Sequence, residues 1–142
     1  MKHDDCLFCS IIDGKLPAAK VYEDDHVYAF LDISQVTEGH TLVVPKAHVQ
    51  DIYEMPEEIA SNLFSPVPKI ASAIKKAYKA SGINILNNNE VAAGQSVFHI
   101  HLHLLPRYGN DDGFDVKWIT RNNQFTTEEL QNIAKKISDE IK

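Results

Sequence analysis

The chain is expected to form a single α+β domain, with an antiparallel sheet of about five strands, a long helix packed on it and a C-terminal helix. Three observations predict this. Its 142 residues are an ordinary size for one domain. Short β-branched and apolar runs flank one long segment of helical periodicity, giving the order strands, helix, strands, helix. No internal repeat or low-complexity linker divides the sequence, so 1–142 is taken as one domain with the extension over 108–142 packed on it.

A knuckle between Cys6 and Cys9 comes first. Residues 19–22 and 26–32 then read as two strands of a hairpin around the turn-forming Glu23-Asp24-Asp25. Thr41-Leu42-Val43-Val44 is a third strand, entered through Gly39-His40 and stopped by Pro45. The proline and acids of Pro56-Glu57-Glu58 suit a helix start. Ile59, Leu63, Val67, Ile70, Ala71, Ile74 and Tyr78 follow on roughly one face, until Gly82 closes the segment. Pro66 and Pro68 lie inside that pattern, so a kink or break is expected there. Residues 83–86 and 97–105 form two further strands around the polar loop 87–96. Thr126-Thr127-Glu128-Glu129 carries the capping signal of a last amphipathic helix.

Fourteen basic against twenty acidic side chains give a formal charge of 14 − 20 = −6, a poor match to a polyphosphate backbone. A long nucleic acid is therefore not an expected partner, whereas one small anion in a local pocket is compatible. No apolar run is long enough to cross a bilayer, and Met1-Lys2-His3-Asp4-Asp5 places acids where a signal peptide would be basic and then apolar. A cytoplasmic location without membrane contact is the expectation. In a reducing compartment, Cys6-Leu7-Phe8-Cys9 reads as half a metal site or a redox pair before it reads as a disulfide.

The chemistry concentrates in His99-Ile100-His101-Leu102-His103-Leu104. In a strand this period-two alternation puts three imidazoles on one face and Ile100, Leu102 and Leu104 towards the core. Alternate residues on a strand lie roughly 6.5 to 7 Å apart, close enough for two imidazoles to flank one phosphate group. A neutral imidazole with pKa near about 6.5 is a competent nucleophile, and its conjugate acid can protonate a leaving group. One histidine on an apolar strand would ordinarily be a core or rim residue; three on one face point to a reactive site.

The stretch from Gly94-Gln95-Ser96 through His99, His101 and His103 to Pro106-Arg107 is similar to the signature of the histidine triad (HIT) family, His-φ-His-φ-His-φ-φ. Phe30-Leu31-Asp32-Ile33-Ser34 and Gly39-His40-Thr41-Leu42-Val43-Val44-Pro45-Lys46 resemble the family's other two landmarks, in the same order. The likeness runs from Cys6 to about Arg107. It implies a HIT-like fold and a purine nucleotide in a cleft, with His101 forming a transient nucleotidyl-histidine that water hydrolyses. It also implies that Asp32 accepts the ribose hydroxyls, that Asn88, Gly94, Gln95, Ser96 and His103 surround the α-phosphate, and that His40 orients the triad or relays protons to it. A carboxylate accepts two hydroxyls well, and a turn such as Gly94-Gln95-Ser96 can offer backbone N–H groups to an anion. Taken singly, Asp32, Asn88 and Ser96 would read as turn, loop and strand-edge residues.

The likeness extends to the bacterial, Hint-like members that carry zinc. Those pair such cysteines with a histidine after the Pro-Lys turn and with the first triad histidine, here His48 and His99. The implied site is Cys6, Cys9, His48 and His99 around a structural zinc, leaving His101 for chemistry. The other reading of the cysteines is a reduced, partly buried pair without metal. His3 and His26 match no motif and are expected at the surface.

Other functions remain open at this stage. Two histidines two apart on a strand plus a third also build a catalytic zinc site with metal-bound hydroxide as nucleophile. A nucleotide-binding module with vestigial hydrolysis uses the same pocket. Within the family, loop 87–96 resembles the phosphoramidase branch acting on adenosine phosphoramidates and aminoacyl adenylates. Pro106-Arg107 and the tail to Lys142 are closer to dinucleoside polyphosphate hydrolases. Trp118 on that tail is expected to cover the core rather than reach a leaving group. A homodimer is implied by the resemblance, and the apolar surface of the 56–82 helix and 83–86 strand is compatible with it.

Overall fold

Asp24 closes the first hairpin. In the computed structural model, which describes residues 3–109 and 111–142, Asp24 Oδ1 accepts the backbone N–H groups of His26 and Val27, each at 2.8 Å. Its Oδ2 accepts the Tyr22 hydroxyl at 2.8 Å. The aspartate thereby joins β1 (Lys20–Glu23) to β2 (Val27–Leu31). β3 (Thr41–Pro45), β4 (Gly82–Leu86) and β5 (Leu102–Arg107) complete an antiparallel sheet in the order β1-β2-β3-β5-β4. Met1 and Lys2, the start of the acidic opening, lie outside the described residues.

The sheet's two faces serve different purposes. On one, Val27, Ala29, Val43, Leu102 and Leu104 pack against Leu63, Val67, Ile70 and Ile74 of the helical layer. Each aliphatic side chain buried there contributes roughly 1.5–3 kcal/mol. That layer is α2 (Glu57–Phe64) followed by α3 (Val67–Tyr78). The break falls where Pro66 and Pro68 predicted it: neither has an N–H to donate, and both are tolerated only around a first helical turn. α3 ends earlier than Gly82. Lys79 takes the left-handed conformation at φ 53° and donates its N–H to Lys75 O, and Lys75 Nζ binds the Ala80 carbonyl at 2.9 Å.

On the opposite face the knuckle forms α1 (Leu7–Ile12), whose Phe8 and Ile11 pack on Phe30, Leu42 and Val44. The strand expected over 97–105 begins only at Leu102. β3 stops at Pro45, whose carbonyl accepts a side-chain N–H from His99 at 2.8 Å rather than a strand amide. The amide of Ile100 reaches Val49 O instead, at 2.7 Å. His99 and His101 thus precede the regular ladder, while the alternation survives: Ile100, Leu102 and Leu104 are buried.

Beyond β5, Arg107 grips Asp112 with two hydrogen bonds of 2.8 Å and bonds the Phe114 carbonyl at 2.6 Å. α4 (Thr127–Ser138) has the predicted capping box between Thr126 and Glu129. The start of the extension thus meets the domain, whereas no residue of α4 is buried and Trp118, expected to cover the core, is 82 % exposed. Leu130, Ile133 and Ile137 on one stripe of α4 are each about half exposed, so much of their apolar area stays in contact with water. No helix among the described residues is long and apolar enough to cross a membrane.

Candidate functional site

Three backbone carbonyls and amides decide what the histidines can do. His99 is fully buried and gives its Nε2–H to Pro45 O, so its Nδ1 carries a lone pair. That nitrogen lies 3.5 Å from Cys6 Sγ and 3.6 Å from Cys9 Sγ, and His48 Nδ1 lies 3.4 Å from Cys9 Sγ. Tetrahedral zinc, with bonds of about 2.3 Å to sulfur and about 2.0 Å to nitrogen, separates these atoms by roughly 3.5 Å. The donor set Cys6, Cys9, His48 and His99, all within 4.8 Å of one another, therefore fits a four-coordinate metal with no position left for substrate. The His99-to-carbonyl bond is the outer-shell contact that orients a metal-binding imidazole. Burial pushes the Cys9 thiol up, an effect a bound cation reverses by stabilising the thiolate. The same burial holds His99 down to about 4.

His101 faces elsewhere. Its Nδ1 donates to the His99 carbonyl at 2.8 Å, which leaves the lone pair on Nε2. Its ring meets Phe8 edge-on at 5.1 Å and His103 at 4.9 Å. Asn87 Nδ2 secures the His101 carbonyl at 3.1 Å, and Asn89 Nδ2 in turn holds Asn87 Oδ1 at 2.6 Å. His103, paired in the sheet with Leu42 and Leu86, contacts His40 Nε2 through its Nδ1 at 3.0 Å. Asp32 Oδ2 stands 3.6 Å from that same His40 nitrogen, while its Oδ1 caps the Ser34 amide at 2.8 Å. Burial, reinforced by neighbouring His101 and His40, holds His103 down to about 4. Burial also lowers His101 and His40, with Asp32 opposing it in both. In all three imidazoles the shift favours the neutral form.

His101 and His103 open onto a cleft of about 480 Å³. Leu7, Phe8, Ile11, Phe30, Leu42 and Val97 make its apolar walls; Asp32, Ser34, Ser96 and the two histidines make its polar end. Such a slot takes a flat aromatic group against its walls and an anion at its end.

Loop 87–96 departs from the expectation in detail. Gly94 adopts φ +92°, which its lack of a side chain allows, and Asn88 packs 3.6 Å from where its Cβ would be. The amides of Gly94 and Gln95 are committed to Val91 O and Glu90 O, so they are not aimed at an anion. Gln95, expected beside the phosphate, is 4 % exposed. Its Oε1 accepts the Glu90 amide, and its Nε2 donates to Gln50 O and Val97 O. It braces the loop that presents Ser96. Sequence reasoning also passed over Asn87, which nothing distinguishes from its neighbours in Asn87-Asn88-Asn89. It likewise missed the role of His3: exposed, as expected, it stacks on His48 at 3.9 Å and its amide donates to Cys9 Sγ. His26 is exposed.

Comparison with known proteins agrees with this geometry. Residues 13–110 match the HIT domain. The chain is 54 % identical over 138 residues to "Protein hit" of Bacillus subtilis, covering 97 % of this chain and 95 % of that one. It is 43 % identical over 108 residues to an adenylylsulfatase of Arabidopsis thaliana (76 % and 55 %) and 32 % over 143 residues to an adenosine 5′-monophosphoramidase of Candida albicans (98 % and 93 %). A crystal structure of a HIT family protein from Bacillus anthracis superposes with TM-score 0.94 at 60 % identity, covering 98 % of this chain and 99 % of that one. A zinc-bound histidine triad family protein from Mycobacterium smegmatis does so with TM-score 0.73 at 35 % identity (95 % and 96 %). With a domain match over most of its length and relatives alike from end to end, the chain belongs to the HIT family.

Proposed function

We propose that the protein is a nucleotide hydrolase or transferase acting at the α-phosphate of a purine nucleotide, with a phosphoramidate or aminoacyl adenylate as substrate. The observation that carries this is the His101 side chain, held by a backbone carbonyl in the one tautomer that turns a lone pair away from the strand, beside a cleft with an apolar slot. His101 Nε2 attacks the α-phosphorus and the bond from phosphorus to the leaving amine or carboxylate breaks, with the His103 Nε2–H donating a hydrogen bond at the reacting phosphate and an amine taking its proton from solvent. Water then attacks the nucleotidyl-histidine and returns one proton to solvent, the phosphorus–nitrogen bond breaks, and His101 is restored as the nucleotide leaves. Asp32 receives the ribose hydroxyls through Oδ2, and Ser96 lies against the phosphate. Relatives that include an adenosine 5′-monophosphoramidase and an adenylylsulfatase support an adenylyl group as the part transferred.

Cys6, Cys9, His48 and His99 would hold a zinc ion, which when bound would tie α1 to the start of the histidine segment. α1 contributes Phe8 and Ile11 to the cleft, so the same tie shapes the base slot. A cytosolic setting suits the two free thiols. Pairing with a second copy suits the uncovered edge of β4, where Ile85 is half exposed.

Rapid-quench mass spectrometry with adenosine phosphoramidate tests the reaction. A gain of one adenylyl mass mapped to the His101 peptide is the expected result. Steady turnover with no adduct under any quench would replace this mechanism with direct attack by an activated water.

A further inference from the structure

The loop between β2 and β3 holds a residue that the reaction above does not use. Gln35 is exposed, yet both ends of its amide are engaged. Its Nε2 donates to the carbonyls of Asp32 and His40, the latter at 2.7 Å, and its Oε1 accepts the amides of Gly39 at 2.8 Å and His40 at 3.1 Å. These contacts bind the start of the loop to its end, and the two residues so joined are the carboxylate and the imidazole that flank His103. Inside the closed loop, the Val36 amide donates to His40 Nδ1 at 3.3 Å.

A backbone amide can only donate, so the chain of roles that follows has a fixed direction. His40 Nδ1 must accept, which puts the proton of neutral His40 on Nε2. That N–H faces His103 Nδ1 at 3.0 Å, so His103 must accept there and carry its own proton on Nε2, the nitrogen left for the cleft it lines. Asp32 Oδ2, at 3.6 Å from His40 Nε2, lies beyond hydrogen-bond reach and leaves the direction unchanged.

We propose that Gln35 is a positioning residue: by closing the loop it holds the Val36 amide on His40, and so determines that His103 presents a proton rather than a lone pair to the cleft. The tautomer claim stands on geometry alone; its effect on turnover rests on the reading given under Proposed function.

The test is two-bond proton–nitrogen correlation spectra of histidine-labelled protein at neutral pH, for the wild type, Gln35→Met and Gln35→Ala. Methionine keeps the volume and removes the hydrogen bonds, and the exposed position makes loss of fold an unexpected outcome. The wild type should show His40 and His103 each protonated on Nε2, and the variants should show mixed tautomers. Turnover of adenosine phosphoramidate should fall on the order of tenfold in kcat, with KM within about twofold, as expected when a donor is misaligned rather than a pocket lost. Wild-type His103 protonated on Nδ1, or variants that keep the wild-type tautomers, would overturn the proposal. Shifted tautomers with unchanged kcat would overturn its catalytic part. A wild-type protein that never turns over nucleotide refutes the reaction, while the spectra still decide the tautomers.

Discussion

At one end of the histidine segment, His99 joins Cys6, Cys9 and His48; at the other, His103 joins His40 and Asp32. By proximity alone the two clusters look alike, since the ligating atoms of each lie within 4.8 Å of one another. They differ in where the protons are. At the first, a carbonyl takes the outer N–H of His99, and the remaining lone pair meets sulfur at metal-spanning distances. At the second, the two imidazoles already share a proton across 3.0 Å, and the carboxylate stands aside. Closeness of donor atoms does not make a metal site. What sets the first cluster apart is an inward lone pair, fixed by what the other side of the ring is bonded to.

His101 sits between the clusters, and its removal is the largest expected effect. His101→Ala should lose at least about 10³-fold in turnover while keeping nucleotide affinity, because the covalent step goes and the pocket stays. Near-normal activity would end the nucleophile assignment. Next comes the thiol end. Cys9→Ala, or exhaustive chelation, should abolish stoichiometric zinc and lower the melting temperature sharply, yet leave kcat of the folded fraction within about tenfold. If turnover vanished while the fold persisted, the two ends would not divide their labour in this way.

At the His40 end, His103→Gln should cost roughly 10²-fold in kcat, a typical contribution of one positioned hydrogen-bond donor. The same variant tests a pH effect. Folding lowers His103 from about 6.5 to about 4, so between these values the unfolded chain binds more protons. Stability from this group is full above pH about 6.5 and is lost as pH falls towards 4. Acid unfolding curves of His103→Gln should therefore be flatter in that window; an identical slope would show that His103 is not desolvated.

The smallest effect belongs to a site that is part of neither cluster. Asp112 is held well below the usual carboxylate range, chiefly by its hydrogen bonds from Arg107. A depressed carboxylate stabilises above its unfolded pKa and loses that contribution as pH falls. Asp112→Asn should accordingly be slightly less stable than wild type near neutrality, and the gap should close in acid. A gap independent of pH would mean the bond works without the charge.

Much of this was legible in the residues. Alternation exposed three histidines on one side of a segment, Glu23-Asp24-Asp25 announced the hairpin, Pro66 and Pro68 marked the helix break, and the Thr126-to-Glu129 stretch marked the last cap. What was not legible depended on partners distant in the chain. Nothing local separates Gln95 as a brace from Gln95 as a phosphate ligand; the carbonyls of Gln50 and Val97 decide it. Nothing local predicts that Asn87, and not Asn88, pins His101. The strand over 97–105 looked continuous because its alternation is continuous, but a ladder needs a paired neighbour, and pairing ends at Val43 opposite Leu102 on one side and at Leu86 opposite His103 on the other. Trp118 and the apolar stripe of α4 carry a burial signal that this chain by itself does not satisfy.

The sequence by itself determined which chemical groups the protein owns and on which side of a strand they stand, because residue identity and a period of two are local properties. Tertiary structure decided what each histidine is. Pro45 and His99 contribute carbonyls, and the 32–40 loop contributes an amide, each fixing a ring that would otherwise exchange its proton freely between two nitrogens. One imidazole turns its lone pair to the thiols, one turns it away from the His99 carbonyl and one shares a proton with His40, because a tautomer is set by the hydrogen bond on the far side of the ring, and those partners meet only when the chain folds.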